Sequence, residues 1–230
     1  MATTTAVAPE PDIKQGVFWV MLAAIAGFLV PAIFSMGLRW ERELFLVPYV
    51  VLIGTFLFIY FRRSPISLRQ FIGYWPYALI GIAAATFLLL RNIQGQPVSA
   101  VPAGGDLVFL LLWVGLVYGV MDALLLNVMP ALAVLGLGFF DANPSRRERL
   151  TRGLLALLAS VLVTVAYHLG YTEFQSLALL WVIVGNIIIT ASFLLTGSPL
   201  AAVVTHVIMH VAAVLHGAET TLQLPPHYGQ

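Results

Sequence analysis

The chain contains no cysteine. Disulfides, iron–sulfur ligation, CxxC redox chemistry and a thiol nucleophile are thereby excluded, leaving His, Asp, Glu, Ser, Thr and Tyr to carry any chemistry. Charge is nearly as scarce. Only 9% of the 230 residues are Asp, Glu, Lys or Arg, against about 25% in soluble globular chains. The formal net charge is +1, and no basic run is interleaved with aromatics, so nucleic acid is not an expected partner. Apolar residues fill the space that charge leaves: 60% of the chain is hydrophobic and the mean hydropathy is +0.96. Such a chain belongs in a lipid bilayer. Its 5 Trp, 8 Tyr and 14 Phe are ample for interfacial aromatic belts.

A crossing needs about 20 apolar residues. Seven stretches approach or exceed that length, at 17–38, 44–61, 74–90, 107–140, 154–170, 174–196 and 200–215. They predict an all-α, polytopic membrane helix bundle of seven to eight transmembrane helices, with a membrane domain over 17–217. Polar tails of 1–16 and 218–230 flank it. The first apolar stretch is long enough to span and reads as a retained helix rather than a cleaved signal sequence. The fourth is interrupted only by Asp122 and Asn127 and is too long for one perpendicular helix. Pro130 removes a donor there and crowds the Leu126 carbonyl, which predicts a kink. One long kinked helix, its last part ALAVLGLGFF running near the interface, is the favoured reading; two shorter crossings with a turn at Pro130 is the alternative. Lys14, Arg62, Arg63, Arg69, Arg146, Arg147, Arg149 and Arg152 fall on one side of this arrangement. Arg39, Arg42 and Arg91 fall on the other, which predicts a cell-membrane protein with a cytoplasmic N-terminus.

Within the spans the notable ionisable groups are Asp122, His168, His206, His210 and His216. An Asp at a helix centre costs roughly 2.5–3.5 kcal/mol on insertion scales, so it faces a cavity, a partner or an ion. Its bland alternative is protonation, or a hydrogen bond to Tyr118 or Asn127. Asp122 and His168 are each 23 residues from Ser145 in the intervening loop, which puts them at matching depth in an uninterrupted hairpin. His206 and His210 share one helical face about 6 Å apart along the axis, and their helix enters from the same side. Asp122, His168, His206 and His210 are therefore expected to converge from three helices, a donor set suited to zinc or another divalent metal. The pair is not an HExxH motif, since Val207 stands where the glutamate would be. His216 lies off that face near the helix end, where a polar tip at the interface explains it. His227 has no motif around it. Asn186 reads as glue between two helices.

The three segments VMDALLLN, VTVAYHLGY and VVTHVIMHVAAV, in that order, resemble the motifs EExxxR, FxxxH and HxxxN. These belong to the CAAX prenyl-protease and bacteriocin-processing (Abi) family of intramembrane metalloproteases. The resemblance covers roughly residues 74–217 and lies more in order and spacing than in identity. It implies that Asp122 serves as a base for water while His168, His206 and His210 act as metal ligands or oxyanion donors. The implied substrate is a membrane-embedded or lipidated peptide. The departures are specific: the paired glutamates fall on Met121 and Asp122, the arginine on Leu126, the phenylalanine on Thr164 and the asparagine on His210. Three functions follow as expectations: an intramembrane metallo-endopeptidase, a non-catalytic divergent homologue that binds or scaffolds, and a b-type haem or quinone protein using His168 and His210.

Overall fold

The structure is a computed structural model that describes residues 13–64, 67–72, 74–136, 139 and 145–228. Residues 1–12 of the polar N-terminal stretch, and 137, 138 and 140 of ALAVLGLGFF, lie outside the described residues. Among the described residues the chain is helical throughout, with no strand. Among the described residues seven helices are long and apolar enough to cross a membrane: α1 Ile13–Gly37, α2 Arg42–Arg63, α3 Trp75–Gln94, α4 Gly104–Leu135, α5 Arg146–Leu169, α6 Ala178–Thr196 and α7 Pro199–Gly217. The chain is a multi-pass membrane helix bundle. A one-turn helix, Leu68–Ile72, precedes α3, and a short 3₁₀ turn, Thr172–Phe174, precedes α6. Large apolar side chains are exposed on the outward faces, among them Phe58, Phe87, Leu158 and Leu195, as lipid contact requires.

Local chemistry explains several helix ends. Ser145 precedes α5 and its Oγ accepts the Glu148 amide at 3.2 Å, satisfying a donor orphaned at the N-terminus. Pro76 and Pro199 sit in the first turns of α3 and α7, where a missing N–H costs nothing.

The fourth stretch crosses once. Helix α4 is a single 32-residue span, and its accommodation of Pro130 lies upstream of the proline. Residues Leu111–Tyr118 and Ala123–Val128 are π-helical, flanking the four-residue α-helical piece Gly119–Asp122. The α-helical partner of a residue 130 amide would be the Leu126 carbonyl, which proline cannot serve. Ser160 Oγ of α5 donates to that oxygen at 2.6 Å instead. A neighbouring helix thus restores the bond that the sequence removes.

Helix α7 is the most enclosed of the spans and packs on α3, α4 and α6. Its approach to α4 depends on two glycines spaced as GxxxG in GLVYG. A Cβ at Gly115 would lie 2.9 Å from Val211 Cγ2, and one at Gly119 would lie 3.0 Å from the Val207 Cα. Small residues at this spacing let transmembrane backbones close on each other. That contact carries His210 onto the turn of α4 that bears Asp122.

Candidate metal centre

One ligand atom from each of Asp122, His206 and His210 lies within 4.8 Å of the other two, and all three residues are buried. Asp122 Oδ2 stands 3.8 Å from His210 Nε2. The two imidazoles, four residues apart on α7, have ring centroids 5.0 Å apart. This buried Asp/His/His group could hold a metal ion. Three of the four residues singled out in the sequence are brought together here.

His168 is the fourth, and it stands apart from the group of three. It lines the same cavity, a space of about 260 Å³ walled by α3 to α7 and by the segment that follows α7. Its ring is held by Tyr167 and Phe174, edge to face, at centroid distances of 4.9 and 4.8 Å. Matching depth brought His168 to the cavity but not to the ligand cluster.

Each of the three histidines is tethered through Nδ1. His168 Nδ1 lies 2.8 Å from the Thr164 carbonyl, His210 Nδ1 3.2 Å from the Val114 carbonyl, and His206 Nδ1 2.9 Å from Asn127 Oδ1. A carbonyl oxygen only accepts, so Nδ1 is the donor in each case and carries the proton. The neutral ring then presents Nε2 as a bare acceptor. This is the arrangement that orients histidine toward a metal, with an outer oxygen fixing the tautomer. Asp122 is oriented similarly: Tyr49 of α2 donates its hydroxyl to Oδ1 at 2.5 Å, leaving Oδ2 toward the histidines.

Neither Tyr118 nor Asn127 is hydrogen-bonded to Asp122. The Tyr118 hydroxyl pairs with Tyr167 at 2.6 Å, and Asn127 Nδ2 donates to Thr190 at 2.9 Å. Asn127 is instead the outer partner of His206. His216, as its position off the face suggests, is separate and meets the Gln96 carbonyl at 3.0 Å. His227 pairs with Glu173 at 3.0 Å. Asn186 does join two helices, donating to Thr164 Oγ1 at 2.6 Å and accepting from Ser160 at 3.1 Å.

Sequence reasoning missed Tyr49, Asn127 as a histidine partner, and the α4–α7 contact. The last had a signal, because GLVYG inside an apolar span is a GxxxG motif. Tyr49 had none: a single tyrosine about two turns into a helix is commonplace. No family model, no curated protein and no solved structure matches the chain.

Proposed function

We propose that the chain is an intramembrane metal-dependent hydrolase acting on a membrane-embedded or lipidated peptide. Asp122, His206 and His210 hold a divalent ion such as zinc, and His168 acts across the cavity from them. One observation carries the reading. Asp122, His206 and His210 each bring a ligand atom within 4.8 Å of the other two in a buried site, and both histidines turn Nδ1 to an outside oxygen. A cation between such groups, a metal ion or a proton, offsets the cost of burying them. Two imidazoles and a carboxylate form a donor set found at catalytic zinc, which takes three protein ligands and keeps a position open.

An ion held there would supply Lewis-acid activation of water and of a peptide carbonyl. The chain's own groups divide the rest. Tyr49 fixes the carboxylate through Oδ1, while Asn127 and the Val114 carbonyl fix the two imidazoles. His168, neutral and with Nε2 unprotonated, is suited to accept a proton from attacking water and return it to the departing amide nitrogen. Its tautomer suits a base better than an oxyanion donor. These roles differ from those that the resemblance to the Abi family implies, in which Asp122 is the base for water and His168 a ligand or oxyanion donor. Met121 lies toward Gly54 of α2, away from the cavity.

A second reading, a membrane protein that binds the ion without hydrolysis, is favoured by the single carboxylate in the cavity lining. Elemental analysis of the protein, purified in mild detergent after incubation with Zn²⁺ or Co²⁺, tests both readings at once. One equivalent retained by the native chain and lost in His206→Ala is the expected result, and failure of the native chain to retain either metal overturns both. Metal retention with no cleavage of transmembrane or lipidated peptides in reconstituted vesicles selects the second.

A further inference from the structure

Beyond α7 the chain does not leave the bundle. Residues 218–228 fold back across the end of the cavity and are tied to five different parts of the fold. Thr220 Oγ1 donates to the Pro97 carbonyl at 2.6 Å, and the Leu222 amide donates to Gln96 Oε1 at 2.8 Å. Gln223 accepts from Gln96 at 3.0 Å and donates to Asn92 at 3.1 Å. His227 meets Glu173, and the Tyr228 hydroxyl meets Ser35 Oγ at 2.6 Å. Leu224 is fully buried. Leu222, Gln223 and Pro225 form part of the wall of the Asp122/His206/His210 cavity.

The grip on this segment is largely on its backbone. Three successive carbonyls are caught: Arg42 Nε donates to Leu224 O at 2.6 Å, Tyr118 to Pro225 O at 3.4 Å, and Arg42 Nη2 to Pro226 O at 3.4 Å. Arg42 is 3% exposed, and its remaining nitrogen, Nη1, makes no hydrogen bond, lying 3.6 Å from Glu219 of the same segment. A buried guanidinium is expensive to leave without acceptors, and the acceptors Arg42 uses all come from residues 219–226. Capture of main-chain groups together with a buried apolar anchor is a recurring way of binding a peptide.

We propose that Arg42, Tyr118 and Gln96 form a binding site for a peptide backbone, with Asn92 holding the Gln223 side chain, occupied in cis by the turn and prolines of Leu222–Pro226, which closes the mouth of the cavity. The occupant is a peptide with an apolar residue before proline. Release of the segment opens the cavity and frees the groove for a peptide in trans. The site is independent of metal, so it stands or falls separately from the hydrolase reading.

The absence of cysteine gives a clean test on the full chain. A single Gln223→Cys reports on seating of the segment through its maleimide labelling rate. Adding Arg42→Gln is expected to raise that rate by roughly tenfold or more, the equivalent of one lost charge-assisted contact; an unchanged rate overturns the proposal. In a second arm, Leu224→Glu expels the segment while leaving the groove intact. A fluorescent peptide ETTLQLPPHY, residues 219–228, is then expected to bind Leu224→Glu protein by anisotropy and not the native chain. Its affinity is expected to fall roughly tenfold when Arg42→Gln is added. Equal binding to native and Leu224→Glu protein overturns the proposal. So does no binding to a Leu224→Glu protein that keeps its melting transition and labels fast at Gln223→Cys.

Discussion

Around Ser160, polar groups are matched with one another across three helices; around Asp122, a few residues away on the facing helix, they converge on a common point. Ser160 Oγ donates to the Leu126 carbonyl and lies 2.8 Å from Thr190 Oγ1, which accepts from Asn127. Asn186 Oδ1 lies 3.1 Å from Ser160 Oγ, whose one proton it shares with the Leu126 carbonyl, and Asn186 donates to Thr164. Helices α4, α5 and α6 are joined by that ladder. In the neighbouring cluster a carboxyl group and two imidazoles face one another within 4.8 Å, a buried group that could hold a metal ion. The first network joins helices to each other, and the second is arranged around a common point. Asn127 belongs to both, holding Thr190 with its amide nitrogen and His206 with its oxygen.

The largest effect is expected from deleting a ligand. His206→Ala or His210→Ala removes one of three donors and is expected to abolish metal retention. Co²⁺ loading makes this visible, since a cysteine-free site yields ligand-field bands without thiolate charge transfer. A His206→Ala protein that still holds one equivalent would show that the acceptor cluster is not what binds the metal.

Next comes Asn127→Ala, which takes the outer oxygen from His206 and leaves its tautomer unfixed. Outer-shell losses of this kind weaken metal affinity by about 10–100-fold, measured by competition with a chelator of known affinity. Asn127→Asp keeps the acceptor and is expected to restore most of the loss. Equal weakening by both substitutions would assign Asn127 to the matched ladder alone.

Much of this architecture is legible in the sequence, and for a physical reason. A bilayer forces about 20 apolar residues per crossing, so all seven spans can be read from composition. The insertion cost of a charged or strongly polar group makes Asp122, His206 and His210 conspicuous against that background. The same logic does not see what orients them. Tyr49 carries no insertion anomaly, and Asn127 reads as an isolated polar residue until α7 is known to pack beside it. The proline argument located the irregularity of α4 but not its form, because whether Pro130 bends the helix or is absorbed by π turns depends on Ser160 of another helix. Arg42 misled in the other direction. It reads as an interfacial charge that sets topology, yet it is buried, because the carbonyls that satisfy it come from residues 182 and 184 positions away.

A smaller effect is expected in the matched ladder. Ser160→Ala leaves the Leu126 carbonyl without its donor and takes from Thr190 one of its two partners, Asn127 being the other. Interhelical hydrogen bonds in membranes are worth about 0.6 kcal/mol on average and up to about 1.7, so melting in detergent is expected to fall by roughly 2–4 °C. Metal stoichiometry is expected to be unchanged. Metal loss in Ser160→Ala would mean that the two networks are one cooperative unit joined through Asn127, and the contrast between them would collapse.

The smallest expected effect on the metal is the most informative about function. His168 lines the cavity but lies outside the group of three ligand atoms, so His168→Ala is expected to leave metal content and affinity as in the native chain. If the protein is a hydrolase, the same substitution removes the acceptor opposite the site, and cleavage is expected to fall by about 10²–10⁴-fold, the span typical for a lost general base. The deficit should also lessen as pH rises, because hydroxide can replace an assisted water while the metal ligands stay deprotonated. Metal loss in His168→Ala would instead enlist His168 as a fourth ligand and close the position that a reacting water needs. The two sides of the cavity, ligands on α4 and α7 and base on α5, are separable only if the metal remains when the activity does not.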